Sequence, residues 1–101
     1  MHVIARKTLR EFSALHPKSA KCLDAWWLIT SKAKWADFAQ VKKTFAATDL
    51  FHKNNRQYLI FDIGGNKYRI VASVTWASFT MYIKFVLTHP EYEKQSWKNR
   101  L

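Results

Sequence analysis

Acidic residues, glycine, proline and cysteine are all scarce in this chain of 101 residues, and each shortage excludes something. The one cysteine, Cys22, cannot close an internal disulfide, so the fold must stand on its core, as suits a reducing compartment. Two glycines and two prolines leave no flexible linker or low-complexity segment, and no repeat is present. Residues 1–101 therefore read as one domain. No apolar run approaches the roughly 20 residues that a membrane-crossing helix needs. The opening stretch from His2 to Lys7 meets charge too soon for a signal peptide. The expected location is the cytoplasm, with no membrane partner. Histidines at 2, 16, 52 and 89 have no metal-ligand spacing among themselves or with Cys22, so neither a metal site nor a cofactor is expected.

The shortage of acid matters most. Seven Asp and Glu stand against seventeen Lys and Arg, for a net charge of +10. On a domain this small, that surplus makes a polyanion the expected partner, nucleic acid ahead of membrane. Apolar residues make up 49% of the chain, too many for a disordered segment to keep wet.

The first half has helical spacing. Ile4, Leu9, Phe12 and Leu15 form an apolar stripe that ends at His16-Pro17, and Cys22, Leu23, Trp26, Trp27, Ile29 and Ala33 form a second. Asp37 with Gln40 predicts a capped helix whose inward residues are Phe38, Val41 and Phe45. The second half changes to strand-like segments at 58–63, 67–76 and 80–88. A two-residue turn at Gly64-Gly65 sets Phe61 opposite Tyr68 and Asp62 opposite Lys67. Leu59, Phe61 and Ile63 then share a core face with Tyr68, Ile70, Ala72 and Val74. A connection centred on Ala77-Ser78 sets Val71 opposite Lys84 and adds Met81, Ile83, Phe85 and Leu87 to that face. The class is α+β, with N-terminal helices packed on one face of a mainly antiparallel β-sheet. Trp26, Trp27 and Trp76 are assigned to the core, Trp35 and Trp97 to freer positions, and residues 95–101 to a tail able to fray.

The same alternation gathers Lys67, Arg69, Ser73 and Thr75 on the opposite face, beside Tyr82, Lys84 and Thr88. Arg69 and Lys84 become diagonal neighbours able to share one phosphate, although an ordinary solvated sheet face fits the pattern equally well. Pro90 opens a short helix that puts His89 and Tyr92 near the same end of the sheet. Metal-free RNA cleavage needs one group to take a proton from the ribose 2′-hydroxyl and another to protonate the leaving 5′-oxygen. It also needs cations around the phosphate, and an imidazole and a phenol beside lysine and arginine supply that set.

The run Gly64-Gly65-Asn66-Lys67-Tyr68-Arg69-Ile70-Val71, followed by Tyr82 to His89 and by Tyr92, resembles the HigB branch of RelE-type toxins. The opening from His2 to Phe12, Ala25-Trp26-Trp27 and residues 35–45 resemble the same family in the same order, so nearly the whole chain is covered. The resemblance implies a RelE-like fold and a metal-independent endoribonuclease that cuts messenger RNA on the translating ribosome. It further implies inhibition by a helix-turn-helix antitoxin of the HigA type, in a heteromeric complex that binds operator DNA. Arg69, Lys84, His89 and Tyr92 are the implied catalytic residues, and Asn66, Lys67 and Ser73 the implied RNA contacts. Asp62 departs from the pattern, standing where Asn is expected before the glycine turn. Two rival functions remain beside this one: a ParE-like toxin that poisons DNA gyrase without cutting RNA, and a non-catalytic RNA-binding module.

Overall fold

The chain begins as a strand rather than a helix. The structure is a computed structural model that describes residues 1–101. In it His2–Ile4 (β1) runs parallel to Thr80, Met81 and Tyr82 of the last strand. Ala5, with φ 73°, turns the backbone into helix α1 (Arg6–Leu15). Leu9 and Phe12 of α1 face the core as expected, but Ile4 belongs to the strand and Leu15 is 80% exposed. A short 3-10 turn, Pro17–Ser19, leads into α2 (Ala20–Lys32), which buries Leu23, Trp26 and Thr30. Ile29 falls outside that stripe and is exposed. Helix α3 (Phe38–Thr44) is capped at Asp37, whose carboxylate accepts the Gln40 N–H at 3.0 Å. The Gln40 side chain reaches back to the Ala36 N–H, and Val41 is wholly buried between half-buried Phe38 and Phe45.

Strand β2 (Thr48–Lys53) was not among the expected elements. It pairs with β3 (Arg56–Ile63) across Asn54-Asn55, both left-handed at φ 53° and 63°. Asparagine tolerates that conformation, so the pair makes the hairpin turn without glycine. Strands β4 (Tyr68–Thr75) and β5 (Thr80–Thr88) follow, then helix α4 (His89–Glu93). The sheet order is β1-β5-β4-β3-β2, antiparallel everywhere except at β1. The expected α+β class holds.

Two registers differ from expectation, and the parity of each shift decides its effect. Gly64, Gly65 and Asn66 are all left-handed, so the β3–β4 connection is a four-residue loop and Ile63 pairs with Tyr68. That is a shift of two. It preserves the core face of Leu59, Phe61, Ile63, Ile70, Ala72 and Val74, but Asp62 now meets Arg69 rather than Lys67. Between β4 and β5 the shift is one. Val71 pairs with Phe85 and Ala72 with Ile83, leaving Lys84 as the extra residue of a bulge. Every side chain after the bulge changes face, so Val86 joins the helix-covered core while Phe85 and Leu87 move to the other side.

That other side is therefore not a bare solvated face. Ile60, Val71 and Leu87 form a second small core with Trp97, which is 1% exposed. Trp97 is delivered by the 3-10 turn Ser96–Arg100, so the C-terminal segment docks on the sheet there. Trp35 is also buried, edge-on to Phe45, so neither tryptophan expected to be free is free. Trp76 lies half-buried against the main core, its indole N–H donated to Gln57 at 2.7 Å. No helix is long and apolar enough to cross a membrane.

The β3–β4 loop can be tested through its glycines. A Cβ on Gly64 would stand 2.9 Å from the Tyr68 ring and 3.3 Å from the Cys22 sulfur, whereas one on Gly65 would meet nothing within 4 Å. Both substitutions by Ala carry the left-handed backbone penalty of about 1–2 kcal/mol. Gly64→Ala should lose roughly 1–3 kcal/mol more from overpacking. Urea denaturation of the two variants measures the difference, and equal losses would show that Tyr68 yields freely.

Candidate RNA-cleavage site

Helix α4 brings the C-terminal candidates to the sheet. Thr88 caps it by accepting the Glu91 N–H, and Glu91 returns the contact by accepting the Thr88 N–H at 2.9 Å. This reciprocal box fixes the helix against the end of β5. The His89 N–H donates to the Lys67 carbonyl at 2.9 Å, which ties α4 to the β3–β4 loop. One corner of the sheet therefore holds Asn66, Lys67, Arg69, His89 and Tyr92.

Arg69 is the centre of that corner and is only 8% exposed. Its guanidinium donates to Asp62 at 3.2 Å, to the Tyr68 carbonyl at 3.2 Å, and to the Asn66 side-chain oxygen. It also lies over the Tyr92 ring, 4.9 Å from the centroid. Tyr92 in turn stacks on Trp97 at 5.6 Å, and its carbonyl accepts from the Trp97 indole and the Gln95 amide. Arg69 is thus a paired cation on an aromatic shelf. His89 points its Nε2 at the Glu93 carboxylate, 3.1 Å away, while its Nδ1 is buried without a partner. Nε2 is therefore the nitrogen on the Glu93 side of the ring, opposite the buried Nδ1. The Glu93 carboxylate, 63% exposed, is a weak partner for it.

Lys84 and Ser73 stand apart from this corner. Arg69 pairs with Leu87, so Lys84 lies three positions away on β5, about 10 Å along the strand. The two are therefore not the expected diagonal neighbours, and their charged ends are held by different partners, Arg69 on Asp62 and Asn66. Lys84 instead rests its ammonium 4.6 Å from the Tyr82 ring. Ser73 pairs with Tyr82 and lies about 13 Å beyond Arg69 on β4. There it lines a polar cleft of about 540 Å³ with Asn55, Arg56, Thr75 and Trp76.

Neither alternation nor motif marks the residues that organise the corner: Asp62 as the partner of Arg69, Trp97 beneath Tyr92, and the cations of the C-terminal turn. Lys98 lies over Phe51 at 4.9 Å and Arg100 over Phe85 at 4.5 Å, so the docked tail adds two cations to the face. No three His, Cys, Asp or Glu side chains converge as a metal-binding group.

Comparison with known proteins bears on what such a corner does. The family model described as HigB_toxin, RelE-like toxic component of a toxin-antitoxin system, matches residues 19–95. This chain belongs to the HigB toxin family. The mRNA interferase toxin HigB of Escherichia coli strain K12 is 32% identical over 92% of this chain and 88% of its own length. The mRNA interferase HigB of Shigella flexneri has the same identity and coverage. That of Escherichia coli O6:H1 is 24% identical over 93% of this chain and 90% of its own length. Among the resembling positions of this HigB-family chain, the structure brings Asn66, Arg69, His89 and Tyr92 together beside the Lys67 backbone, and leaves Lys84 and Ser73 farther along the strands.

Two outcomes follow from the corner's electrostatics. Asp62→Asn removes the carboxylate that neutralises Arg69. It should lower stability by about 1–3 kcal/mol, since a charged hydrogen bond is weakened in a largely buried place, while tightening RNA binding as the guanidinium becomes free for phosphate. Paired denaturation and RNA-binding titrations measure both, and weaker RNA binding would show that Asp62 orients Arg69 rather than competing for it. The second outcome concerns Glu91. Hydrogen bonding from the Thr88 N–H, against some opposing burial, holds its carboxyl below the ordinary value of 4.5. A depressed acid contributes stability above its unfolded value and loses it as pH falls through the folded value. Glu91→Gln should therefore flatten the fall of the thermal midpoint below about pH 4.5, and an unchanged slope would remove Glu91 from that role.

Proposed function

We propose that this HigB-family toxin is an endoribonuclease that cuts messenger RNA at the corner formed by the β3–β4 loop, the end of β5 and α4. The observation that carries the reading is the hydrogen bond from His89 to the Lys67 carbonyl. This backbone contact ties α4, which carries His89 and Tyr92, to the loop before Arg69, and it supports the reading on a chain whose relatives are named mRNA interferases over nine-tenths of its length.

The reaction assigned to the corner is internal transfer. The ribose 2′-oxygen attacks the adjacent phosphorus, the bond to the 5′-oxygen breaks, and a cyclic phosphate and a 5′-hydroxyl remain. His89 and Tyr92 carry the two proton transfers, with Nε2 of His89 exchanging Glu93 for the substrate. Arg69 stabilises the charge that builds on the phosphate oxygens, and its bond to Asn66 aims that side chain at the substrate. Lys67 binds the RNA backbone beside it. Lys84, about 10 Å away, holds a neighbouring phosphate rather than the same one, and Ser73 contacts the strand beyond that. Translating ribosomes present the substrate in this proposal. A HigA-type helix-turn-helix antitoxin silences the toxin in a complex that binds operator DNA, and the protein acts in the cytoplasm without metal.

The decisive experiment is cleavage of a translated messenger RNA in a ribosome-containing extract, mapped by primer extension. Wild type should give discrete cuts within the translated region. His89→Ala should lower the rate by about 10²–10⁴-fold, the contribution of a general acid or base, and Arg69→Ala should also lose activity with its fold verified by circular dichroism. Full activity in both variants would sink the site. Intact RNA from a protein that still arrests growth would move the target to DNA gyrase or another non-RNA partner.

A further inference from the structure

A second basic feature lies across the β3–β4 loop from the corner. Lys18 on the 3-10 turn, Lys21 in the first turn of α2 and Lys67 on the loop surround a groove of about 340 Å³. Its remaining lining is Cys22, Ala25, Gly64 and Tyr68, with no carboxylate among them. The floor is rigid, because Tyr68 packs edge-on against Phe12 and Gly64 admits no side chain beside it.

Lys18, Lys21 and Lys67 are all exposed, so an anion that enters the groove meets three cations and no competing acid in its lining. The first turn of α2 holds no Asp or Glu, so Lys18 and Lys21 also sit unscreened at the positive end of that helix. Lys67 is shared between the two places: its side chain lines the groove, and its carbonyl holds His89 at the corner. Lys67 therefore lies between the corner and the groove.

We propose that this groove binds a backbone phosphate of the RNA strand outside the cut, with Lys18 and Lys21 as its principal ligands. The inference rests on the ribonuclease reading and extends it, making the footprint longer than the corner itself. It is a binding contact remote from the reacting atoms. Lys18 and Lys21 therefore set affinity and salt dependence and leave the chemical step alone.

Cys22, the only cysteine, is a reporter placed in the groove. Burial raises its thiol above the ordinary value of 9.0, so N-ethylmaleimide labelling is timed at alkaline pH. The probe is a single-stranded 2′-O-methyl oligoribonucleotide that spans the corner and cannot be cut. At saturation it should slow labelling at least about five-fold in wild type, and the protection should vanish in the K18Q/K21Q double variant. The slope of log affinity against log salt should fall by about 0.7 in that variant, the value for one single-strand phosphate contact. Unchanged Cys22 labelling with bound oligonucleotide, or an unchanged slope, overturns the proposal. The nuclease reading fails separately, if wild type leaves translated RNA intact, because protection of Cys22 is measured on RNA that cannot be cleaved.

Discussion

Side chains on a strand alternate faces with a period of two, so one unpaired residue in β5 divides the sheet into two regimes. Before Lys84, the outward side of β5 carries Tyr82 and is exposed; after it, the same side carries Phe85 and Leu87. Those two residues, with Ile60 and Val71, make a patch that water cannot be left to cover. The chain answers with its own C-terminus, which brings Trp97 down onto the patch. Tyr92 is then stacked on Trp97, and Arg69 rests on Tyr92. The aromatic shelf under the central arginine is thus a consequence of the bulge. Lys84 is another, because the bulged residue has no cross-strand partner to cover it.

Arg69 shows how a mostly buried cation is kept. Desolvating a guanidinium is expensive unless its donors find partners, and here one carboxylate, one amide oxygen and one backbone carbonyl accept three hydrogen bonds from it. The shift of two residues in the β3–β4 loop makes this possible by placing Asp62 directly opposite. The same contacts stiffen the loop that carries Asn66 and Lys67. A cation held this way has a fixed position, but a phosphate must compete with Asp62 and Asn66 for its donors.

Much of this architecture was legible in the sequence. Period-two alternation identified β3, β4 and β5, and the core face of β3, β4 and the first part of β5, because the even register shift at the β3–β4 loop does not move side chains between faces. The caps at Asp37 and Thr88 lie beside the predicted helix starts, and the candidate corner was named from its motif. Other elements were not legible for definite reasons. β1 is three residues long and pairs parallel with a strand some eighty positions away, which no local pattern records. β2 carries its signal in Asn54-Asn55, a weaker turn mark than a glycine pair. The bulge is invisible to alternation, since Met81 to Leu87 fits an unbroken strand perfectly well. Misplacing Phe85 and Leu87 then hid the docking surface for Trp97, and with it the shelf under Arg69.

The scarcity of acid takes on structural meaning once its uses are traced. Asp37 caps α3, Glu91 caps α4, Asp62 holds Arg69, and Glu93 meets His89. Of the seventeen Lys and Arg, only Lys7 and Arg69 lie within ion-pair distance of a carboxylate. The other cations are left to water, to backbone carbonyls as at Lys42 and Lys53, or to aromatic faces such as Phe51 and Phe85, and three of them line the Lys18–Lys21–Lys67 groove. Such a surface repels itself, and salt or a polyanion relieves the repulsion. The free protein is therefore at its least relaxed when no partner is bound. A strand of RNA that covered the sheet face and the groove would relieve both together, and an antitoxin that offered carboxylates to the same surface would relieve it by the same physics while excluding the RNA.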